Sequence, residues 1–202
     1  EDGVFFYTGE DIISRADVMR FVEENERLAS NWRKYRHYYK SQAEKIIYAD
    51  PKVNGKPDNR LVNNYAKKLI DTYTGFAVGK PIQITLQEDV ANTSLSEFNR
   101  ARSMDTLFTK LWKQSAIYGK TYAYVYGANQ EIYVTDAPPI ECFVIYDSTV
   151  AHNPLYAVRY SKIGLAGRYS ITLYSARYQY EFNSGDNGNS LGSRTVNPFG
   201  LL

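Results

Sequence analysis

The chain has 202 residues, of which 44% are hydrophobic and 23% are charged, so it is long enough to bury a substantial core. Its formal net charge of +2 is too small to indicate nucleic-acid or membrane binding unless basic residues cluster locally. A single cysteine, Cys142, excludes an internal disulfide framework and is typical of a reducing compartment.

A long amphipathic helix is predicted from Ser14 to about Gln42. Ser14 caps this helix, and Asp17 three residues later completes a box-like start. Whether the helix breaks near Ala29-Ser30 is left open. Its apolar residues recur at steps of three and four, or multiples of these. They are Val18, Phe21, Val22, Leu28, Trp32, Tyr35 and Tyr39.

A turn-rich loop over residues 49–60 leads into a second predicted helix. Asp58 or Asn59 is its cap, and its apolar side chains are expected to face inward. These side chains belong to Leu61, Val62, Tyr65, Leu69, Tyr73 and Phe76. Gly79 and Pro81 are predicted to end the helix.

The next stretch predicts a short strand and then more helix. The alternation of apolar residues in "PIQITL" (81–86) is typical of a strand. Ser94-Leu-Ser-Glu97 has the spacing of a capping box, so a helix is expected after it, with an interruption near residues 103–105. A last inward-facing stripe follows, and Gly119 ends it. Its members are Leu107, Phe108, Leu111, Trp112, Ser115 and Tyr118.

Beyond Gly119 the apolar period changes to two, which predicts strands. "TYAYVYG" places three tyrosines on one face, and a loop at residues 127–130 returns the chain into "EIYVT". Further strands are predicted at "ECFVIYD", "YAVRYSKI", "RYSITLYS" and "YQYEF". Turn signals separate them at Pro138-Pro139, Asn153-Pro154 and Gly164–Gly167. The predicted fold is α+β, with N-terminal helices followed by an antiparallel strand meander.

The segment of about 183–197 is polar and rich in glycine, serine and asparagine, so it is predicted to be a flexible loop. The chain also contains 19 tyrosines. Tyrosine suits surfaces that become buried against a partner, but it is also a favoured strand residue. The sequence leaves both interpretations open.

Two stretches resemble a phosphate-binding P-loop. Gly119-Lys120-Thr121 has the right ending, but the first glycine of the motif would stand at Gln114. The predicted order is also helix, then motif, then strand, whereas phosphate binding needs a helix N-terminus after the loop. The second stretch, Gly75–Pro81, is one residue short and has proline where the hydroxyl residue belongs. Both are interpreted as helix C-caps.

Other motif matches also fail on their context. Gly188–Gly192 matches a nucleophile elbow, but it lies in a polar loop and no histidine follows it. Asp50–Gly55 resembles the start of a calcium loop, but Lys52, a cation, stands where a ligand to calcium belongs. His37, His152 and Cys142 are too scattered for a zinc site. No catalytic residue, cofactor site or metal site is therefore predicted. A hydrolase built on the strand-end carboxylates is kept as an alternative; these are Glu131, Asp136, Glu141 and Asp147.

A basic patch on the first helix is the best nucleic-acid candidate. It consists of Arg33, Lys34, Arg36 and Lys40, interleaved with Tyr35 and Tyr39, and such interleaving is used by nucleic-acid sites. The tyrosines also belong to the apolar stripe, so a solvated helix face is the competing interpretation.

The order of several segments resembles the N-terminal part of tailed-phage portal proteins, in particular the siphophage Gp6-like portal family. The resemblance extends from about Tyr38 to Leu202. It is carried by "YYKSQAEKI", "NRLVNNYAKKLIDTYTGFAVGKPI", "SAIYGKTYAYVY", "APPIECFVIYDSTVAHNPLYAVRYSKI" and "NPFGLL". Its most specific pieces are Gly75–Pro81, Tyr118-Gly119 and Tyr146-Asp147 with Asn153-Pro154.

The resemblance implies a structural, non-enzymatic subunit of a ring of about twelve copies at a capsid vertex, the head–tail connector through which DNA is packaged and ejected. It implies residues 1–202 as a single wing-type domain, with the family's stem and clip beyond the sequence. Gly79, Pro81, Gly119, Asn153 and Pro154 would hold its turns.

The resemblance also implies partners and a location. The partners are other copies of the chain, terminase, capsid or scaffold proteins and head-completion proteins. Double-stranded DNA passes through the ring, and no membrane is involved. The expected location is the virion, with assembly in the host cytoplasm. The alternative function is a nucleic-acid-binding module that uses the Arg33–Lys40 face.

Overall fold

The computed structural model describes residues 3–9, 12–42, 44–50, 57–164, 167–186 and 190–200. The chain divides into two compact units, one formed by residues 1–30 with 122–202 and the other by residues 31–121. The interpretation of residues 1–202 as one wing-type domain concerns the family architecture and stays a prediction.

The element order begins with one short strand, continues with helices and ends with strands. The elements are β1 (Phe5–Tyr7), α1 (Arg15–Tyr39), α2 (Glu44–Ile47), α3 (Tyr65–Val78), α4 (Asp89–Ala101), α5 (Met104–Tyr118), β2 (Tyr122–Ala128), β3 (Glu131–Ala137), β4 (Cys142–Asp147), β5 (Pro154–Ile163), β6 (Arg168–Tyr174), β7 (Tyr178–Asn183) and β8 (Ser193–Val196). The predicted α+β class, with helices followed by an antiparallel meander, is confirmed.

The first unit is built on a six-stranded sheet with the order β1-β4-β5-β6-β7-β8. All neighbours pair antiparallel except β1, which pairs parallel with β4. Val18 and Val22 of α1 join the buried core cluster with Phe143, Ile171 and Leu173 of the sheet. Each such side chain contributes about 1.5–3 kcal/mol on burial, so the packing of α1 on the sheet stabilises the unit.

Strands β2 and β3 form a separate two-stranded sheet in the same unit. Their hairpin closes at Asn129-Gln130, where φ is 52° and 62°. Two positive φ angles match the primed turns that fit the right-handed twist of paired strands. Tyr124 and Tyr126 stack with ring centroids 5.4 Å apart, which places them on one face as the alternation predicted.

Three local predictions about helices have clear outcomes. The α1 helix runs without a break through Ala29-Ser30. The interruption near residues 103–105 is confirmed, because Ser103 takes a left-handed φ of 50° between α4 and α5. The capping box at Ser94 is wrong: α4 already begins at Asp89, so Ser94 lies inside the helix.

The predicted strand at 81–86 is wrong. Ile82, Ile84 and Leu86 lie in an irregular, exposed stretch. Alternation alone does not make a strand, because the backbone N–H and C=O groups also need a pairing partner.

The predicted loop of 183–197 is partly a strand. β8 pairs with β7 there, with Glu181 opposite Ser193 and Tyr178 opposite Val196. The composition of the segment indicated a loop because its glycine, serine and asparagine residues carry no strand signal. β1 was likewise not predicted from the sequence.

Candidate assembly surface

Helix α3 turns an apolar row outward. Tyr65, Leu69, Tyr73 and Phe76 recur at steps of four and three, so they share one face of the helix. Their exposed fractions range from 57% to 93%. The prediction that these side chains face inward is therefore wrong. Leu61, just before α3, is exposed as well.

The start of α3 also differs from the prediction. The cap is Asn64, not Asp58 or Asn59, and its Oδ1 accepts a hydrogen bond from the backbone N–H of Lys67 at 2.8 Å. The covered side of the helix holds Thr74, which is buried. An amphipathic pattern shows that a helix has an apolar face but does not show what covers it.

An apolar groove runs along this row. Its volume is about 810 Å³, and it lies within the unit of residues 31–121. Helix α5 contributes Trp112, whose ring centroid is 5.9 Å from that of Tyr73. Phe, Tyr and Trp are the residues enriched in the cores of protein interfaces, and contiguous apolar patches of this kind mark interaction sites. The groove, defined by Tyr65, Leu69, Tyr73, Phe76 and Trp112, is called the α3 groove below.

A charged cluster on the opposite side of α3 holds the helix in place. The Asp71 carboxylate accepts hydrogen bonds from the Tyr39 hydroxyl at 2.9 Å and the Lys67 ammonium at 2.5 Å. Lys113 of α5 lies 3.1 Å from the same carboxylate. Asp71 therefore links the end of α1, α3 and α5. Hydrogen bonds from Lys67, then Lys113 and Tyr39, lower the pKa of Asp71 from 3.8 to about 2, against the opposing effect of desolvation.

This cluster predicts a specific loss of stability in acid. The folded-state pKa of Asp71 lies below its ordinary value, so its contribution is complete above pH 3.8 and is lost as the pH falls towards 2. We expect the free energy of unfolding of Asp71→Asn to change with pH by about 0.5–1 kcal/mol less than that of the wild type. The effect is small because Asp71 and its lysine partners are accessible to solvent. Urea unfolding between pH 2 and 6 measures it, with Asp50→Asn as an exposed control outside the helices. Equal pH dependence in Asp71→Asn and the wild type would contradict this role.

Comparison with known proteins identifies the family. The family model described as phage portal protein, SPP1 Gp6-like, matches residues 20–200. The chain belongs to this portal protein family. Among curated proteins, none matches the chain.

Membership confirms the resemblance found in the sequence. Portal proteins of this family have a structural role as head–tail connectors in DNA packaging. The family implies an oligomeric ring with phage head components at the capsid vertex, and its role is structural, not enzymatic. Within the described part of the portal chain, none of the helices combines the length and apolar character needed to span a bilayer.

The Gly-Lys-Thr stretch of the portal chain caps a helix. Gly119 takes a left-handed φ of 81° after α5, and its N–H donates to the Ser115 carbonyl at 2.8 Å. The Lys120 ammonium lies 5.1 Å from the Trp32 ring centroid, and the Thr121 hydroxyl donates to Gln114 at 2.9 Å. The observed order is helix, motif, strand, so no helix N-terminus follows the motif to face a phosphate.

Other motif residues have ordinary surroundings. Cys142 is buried, and this burial raises the pKa of its thiol to about 12. Among the residues that the structure describes, no group of three or more His, Cys, Asp or Glu is arranged to hold a metal ion. Residues 51–56 of the calcium-loop match and residues 188–189 of the elbow match lie outside the described residues.

Gly79 and Pro81 follow the end of α3. Gly79 has a right-handed φ of −68°, so it is not there to allow a positive φ. A Cβ at this position would overlap the Gly75 carbonyl oxygen, which gives a steric reason for glycine. Pro81 is exposed in the irregular stretch that follows.

Asn153 and Pro154 lie at the entrance to β5, in a turn organised by Asp147. The Asp147 carboxylate accepts hydrogen bonds from the Asn153 backbone and side-chain N–H groups, both at 3.0 Å, and from the Thr149 hydroxyl at 2.7 Å. These bonds, with Asn153 first, lower the pKa of Asp147. The sequence places Asp147 among the strand-end carboxylates and, beside Asn153-Pro154, among the pieces that carry the resemblance, but it gives no bond between Asp147 and Asn153. The signal that sequence reasoning missed is an aspartate followed two residues later by threonine, which is typical of an Asx turn.

The basic patch lies on the second half of α1. Arg33, Arg36 and Lys40 share one face through their spacing of three and four, and Lys34 lies beside them. Lys34, Arg36 and Lys40 are exposed, and Arg33 is half-buried. Tyr39 is engaged with Asp71, but Tyr35 is exposed, so the assignment of Tyr35 to an inward stripe is wrong. DNA binding by this patch stays a prediction.

Proposed function

We propose that the chain is a subunit of the portal ring at the capsid vertex, through which phage DNA is packaged and ejected. The observation that carries the proposal is the family match over residues 20–200. The exposed aromatic row on α3 supports it, because a ring subunit must bury such a surface against a neighbour.

The chain acts in this ring by assembly, not by catalysis. About twelve copies, the number that the resemblance to portal proteins implies, close the ring through a repeated head-to-tail contact. Terminase supplies ATP hydrolysis from a separate chain, and capsid or scaffold proteins and head-completion proteins dock on the ring. Assembly takes place in the host cytoplasm, and the finished ring resides in the virion.

Residues 1–202 form the wing-type part of the subunit. Gly79, Pro81, Gly119, Asn153 and Pro154 serve as its turn positions: the first two follow α3, Gly119 leads from α5 towards β2, and the last two lie at the entrance to β5. The φ of 81° at Gly119 and the Asp147–Asn153 hydrogen bonds support this role.

Native mass spectrometry with negative-stain imaging tests the proposal. The sample is the longest soluble chain that contains this sequence, measured over a dilution series. We expect closed rings of about twelve subunits, built from one repeated head-to-tail contact. A chain that stays monomeric at every concentration would contradict the proposal.

A second candidate function is nucleic-acid binding through the α1 patch. The exposure of Tyr35 beside Lys34, Arg36 and Lys40 favours it, because stacking aromatics and cations act together in such sites. A monomer whose affinity for DNA falls steeply with salt, and is lost in an Arg33→Glu, Arg36→Glu variant, would favour this candidate over the ring.

A further inference from the structure

The unit of residues 31–121 exposes two different apolar surfaces. One is the α3 groove, which is lined by four aromatic side chains and one leucine, with Lys68 at its edge. The other is the stretch from Ile82 to Val90, called the 82–90 segment below. Its apolar side chains, on Ile82, Ile84, Leu86 and Val90, are all exposed.

The 82–90 segment has the features of a ligand for an apolar groove. Its first half alternates apolar and polar residues, so an extended backbone directs Ile82, Ile84 and Leu86 to one side. In the described part of the chain it pairs with no strand. Extended peptides without a partner of their own are a common class of docking element.

The charges of the two surfaces also match. Lys68 is exposed at the edge of the groove, and the segment carries Glu88 and Asp89, both exposed, between Leu86 and Val90. Charges at the rim of an interface set register and orientation, while the apolar centre supplies most of the affinity.

The segment does not occupy the groove of its own chain. Ile82 borders a separate cavity of about 180 Å³, which is lined in part by Asp105 and Phe108 of α5. None of the residues that line this cavity also lines the α3 groove. The groove and the segment are therefore both open to another molecule.

The size of the groove indicates a protein partner. Its four aromatic side chains leave roughly 500 Å² exposed, at about 200 Å² for each fully exposed ring residue. A stable interface buries about 800 Å² on each partner. This exposed aromatic surface is as large as the largest apolar patch on a typical monomer, and such patches often serve as interaction sites.

We propose that the 82–90 segment of one copy binds the α3 groove of the next copy. The inference rests on the proposed function, since a closed ring needs two different and complementary surfaces on every subunit. The surfaces provide this pair: an aromatic groove with a lysine at its edge, and an apolar segment that carries two carboxylates. The partner is therefore a second copy of this chain.

Cysteine trapping between two copies tests the contact. One sample of the full chain carries Phe76→Cys, and a second, labelled with ¹⁵N, carries Ile84→Cys. The native Cys142 does not interfere because it is buried. After mixing and mild oxidation, mass spectrometry quantifies the disulfide that joins labelled and unlabelled peptides. Val150→Cys replaces Ile84→Cys in the control, because Val150 is exposed and lies outside both surfaces.

We expect at least about tenfold more mixed disulfide with Ile84→Cys than with Val150→Cys, because a docked pair has a high effective concentration. Equal yields from the Ile84→Cys and Val150→Cys samples, with rings still formed by the wild-type chain, would overturn the contact and leave the proposed function standing. A wild-type chain that forms no oligomer would overturn both.

Charge variants provide a second readout that does not depend on oxidation. Phe76→Glu and Ile84→Glu should each abolish rings. An equimolar mixture should recover dimers, because the Phe76→Glu copy keeps an intact segment and the Ile84→Glu copy keeps an intact groove. Val150→Glu should assemble as the wild type does. Normal rings from Ile84→Glu, with rings lost only in Phe76→Glu, would overturn the segment as the occupant of the groove.

Discussion

The Gly119→Val variant is expected to unfold with a free energy about 2–3 kcal/mol below that of the wild type. Gly119 follows α5 with φ at 81°, in the left-handed region. An L-residue there brings its Cβ close to the backbone carbonyl oxygen, and a β-branched side chain adds χ1 restriction. A Cβ at this position meets no other atom within 4 Å, so the cost is backbone strain and not a clash with neighbours.

Two matched variants separate this strain from other effects. Gly119→Asn should recover most of the loss, because asparagine tolerates the left-handed region. Gly75→Ala places a Cβ inside α3, also with no atom within 4 Å, and should stabilise by about 0.5–1 kcal/mol. Both tryptophans, Trp32 and Trp112, lie in residues 31–121, so urea unfolding followed by tryptophan fluorescence reports on this unit. Equal midpoints for valine, asparagine and glycine at 119 would contradict the strain.

The sequence predicted those parts of the fold whose signals are local. The β2–β3 hairpin followed from alternation on both sides of a short polar turn, and the later strands followed from apolar runs between turn signals. The first half of α1 followed from Val18 and Val22, whose spacing matches the face that the sheet covers. In these segments the apolar pattern and the covering element belong to the same chain.

The α3 row and the 82–86 stretch were mispredicted for one shared reason. Their apolar periodicity is real, but within the described residues nothing in their own unit covers Phe76 or pairs with the backbone around Ile84. Periodicity indicates that a surface is suited to burial and contains no information on which molecule buries it. For a subunit of an oligomeric ring, part of the pattern is expected to concern the neighbouring copy.

The loop of 183–197 was mispredicted for a different reason. Its order comes partly from Arg15, which is separated from Asn183 by 168 positions in the sequence. A contact of that kind leaves no local pattern. The available hint was a basic residue in the first turn of a helix, where the dipole disfavours positive charge.

We expect Arg15→Met to lower the free energy of unfolding by about 2–3 kcal/mol, as for hydrogen bonds made by a buried charge. Arg15 is buried, and its guanidinium donates to the carbonyl oxygens of Asn183 at 2.5 Å and Asp186 at 2.9 Å. Its Cζ lies 5.0 Å from the Phe182 ring centroid. Methionine keeps much of the apolar stem but leaves these carbonyls without their donor.

The loss of stability in Arg15→Met should be concentrated at the β7–β8 end of the sheet. The bonds of Arg15 hold the chain just after β7, so amide hydrogen exchange should accelerate most at Ser193–Val196 of β8, which depends on that turn to pair with β7. Arg20→Met is the matched control on the same helix. Arg20 is exposed and its guanidinium lies 3.5 Å from the Asp17 carboxylate, so the change should alter stability by less than about 0.5 kcal/mol. Unchanged exchange in β8 of Arg15→Met would show that the strand is held by its pairing with β7 alone.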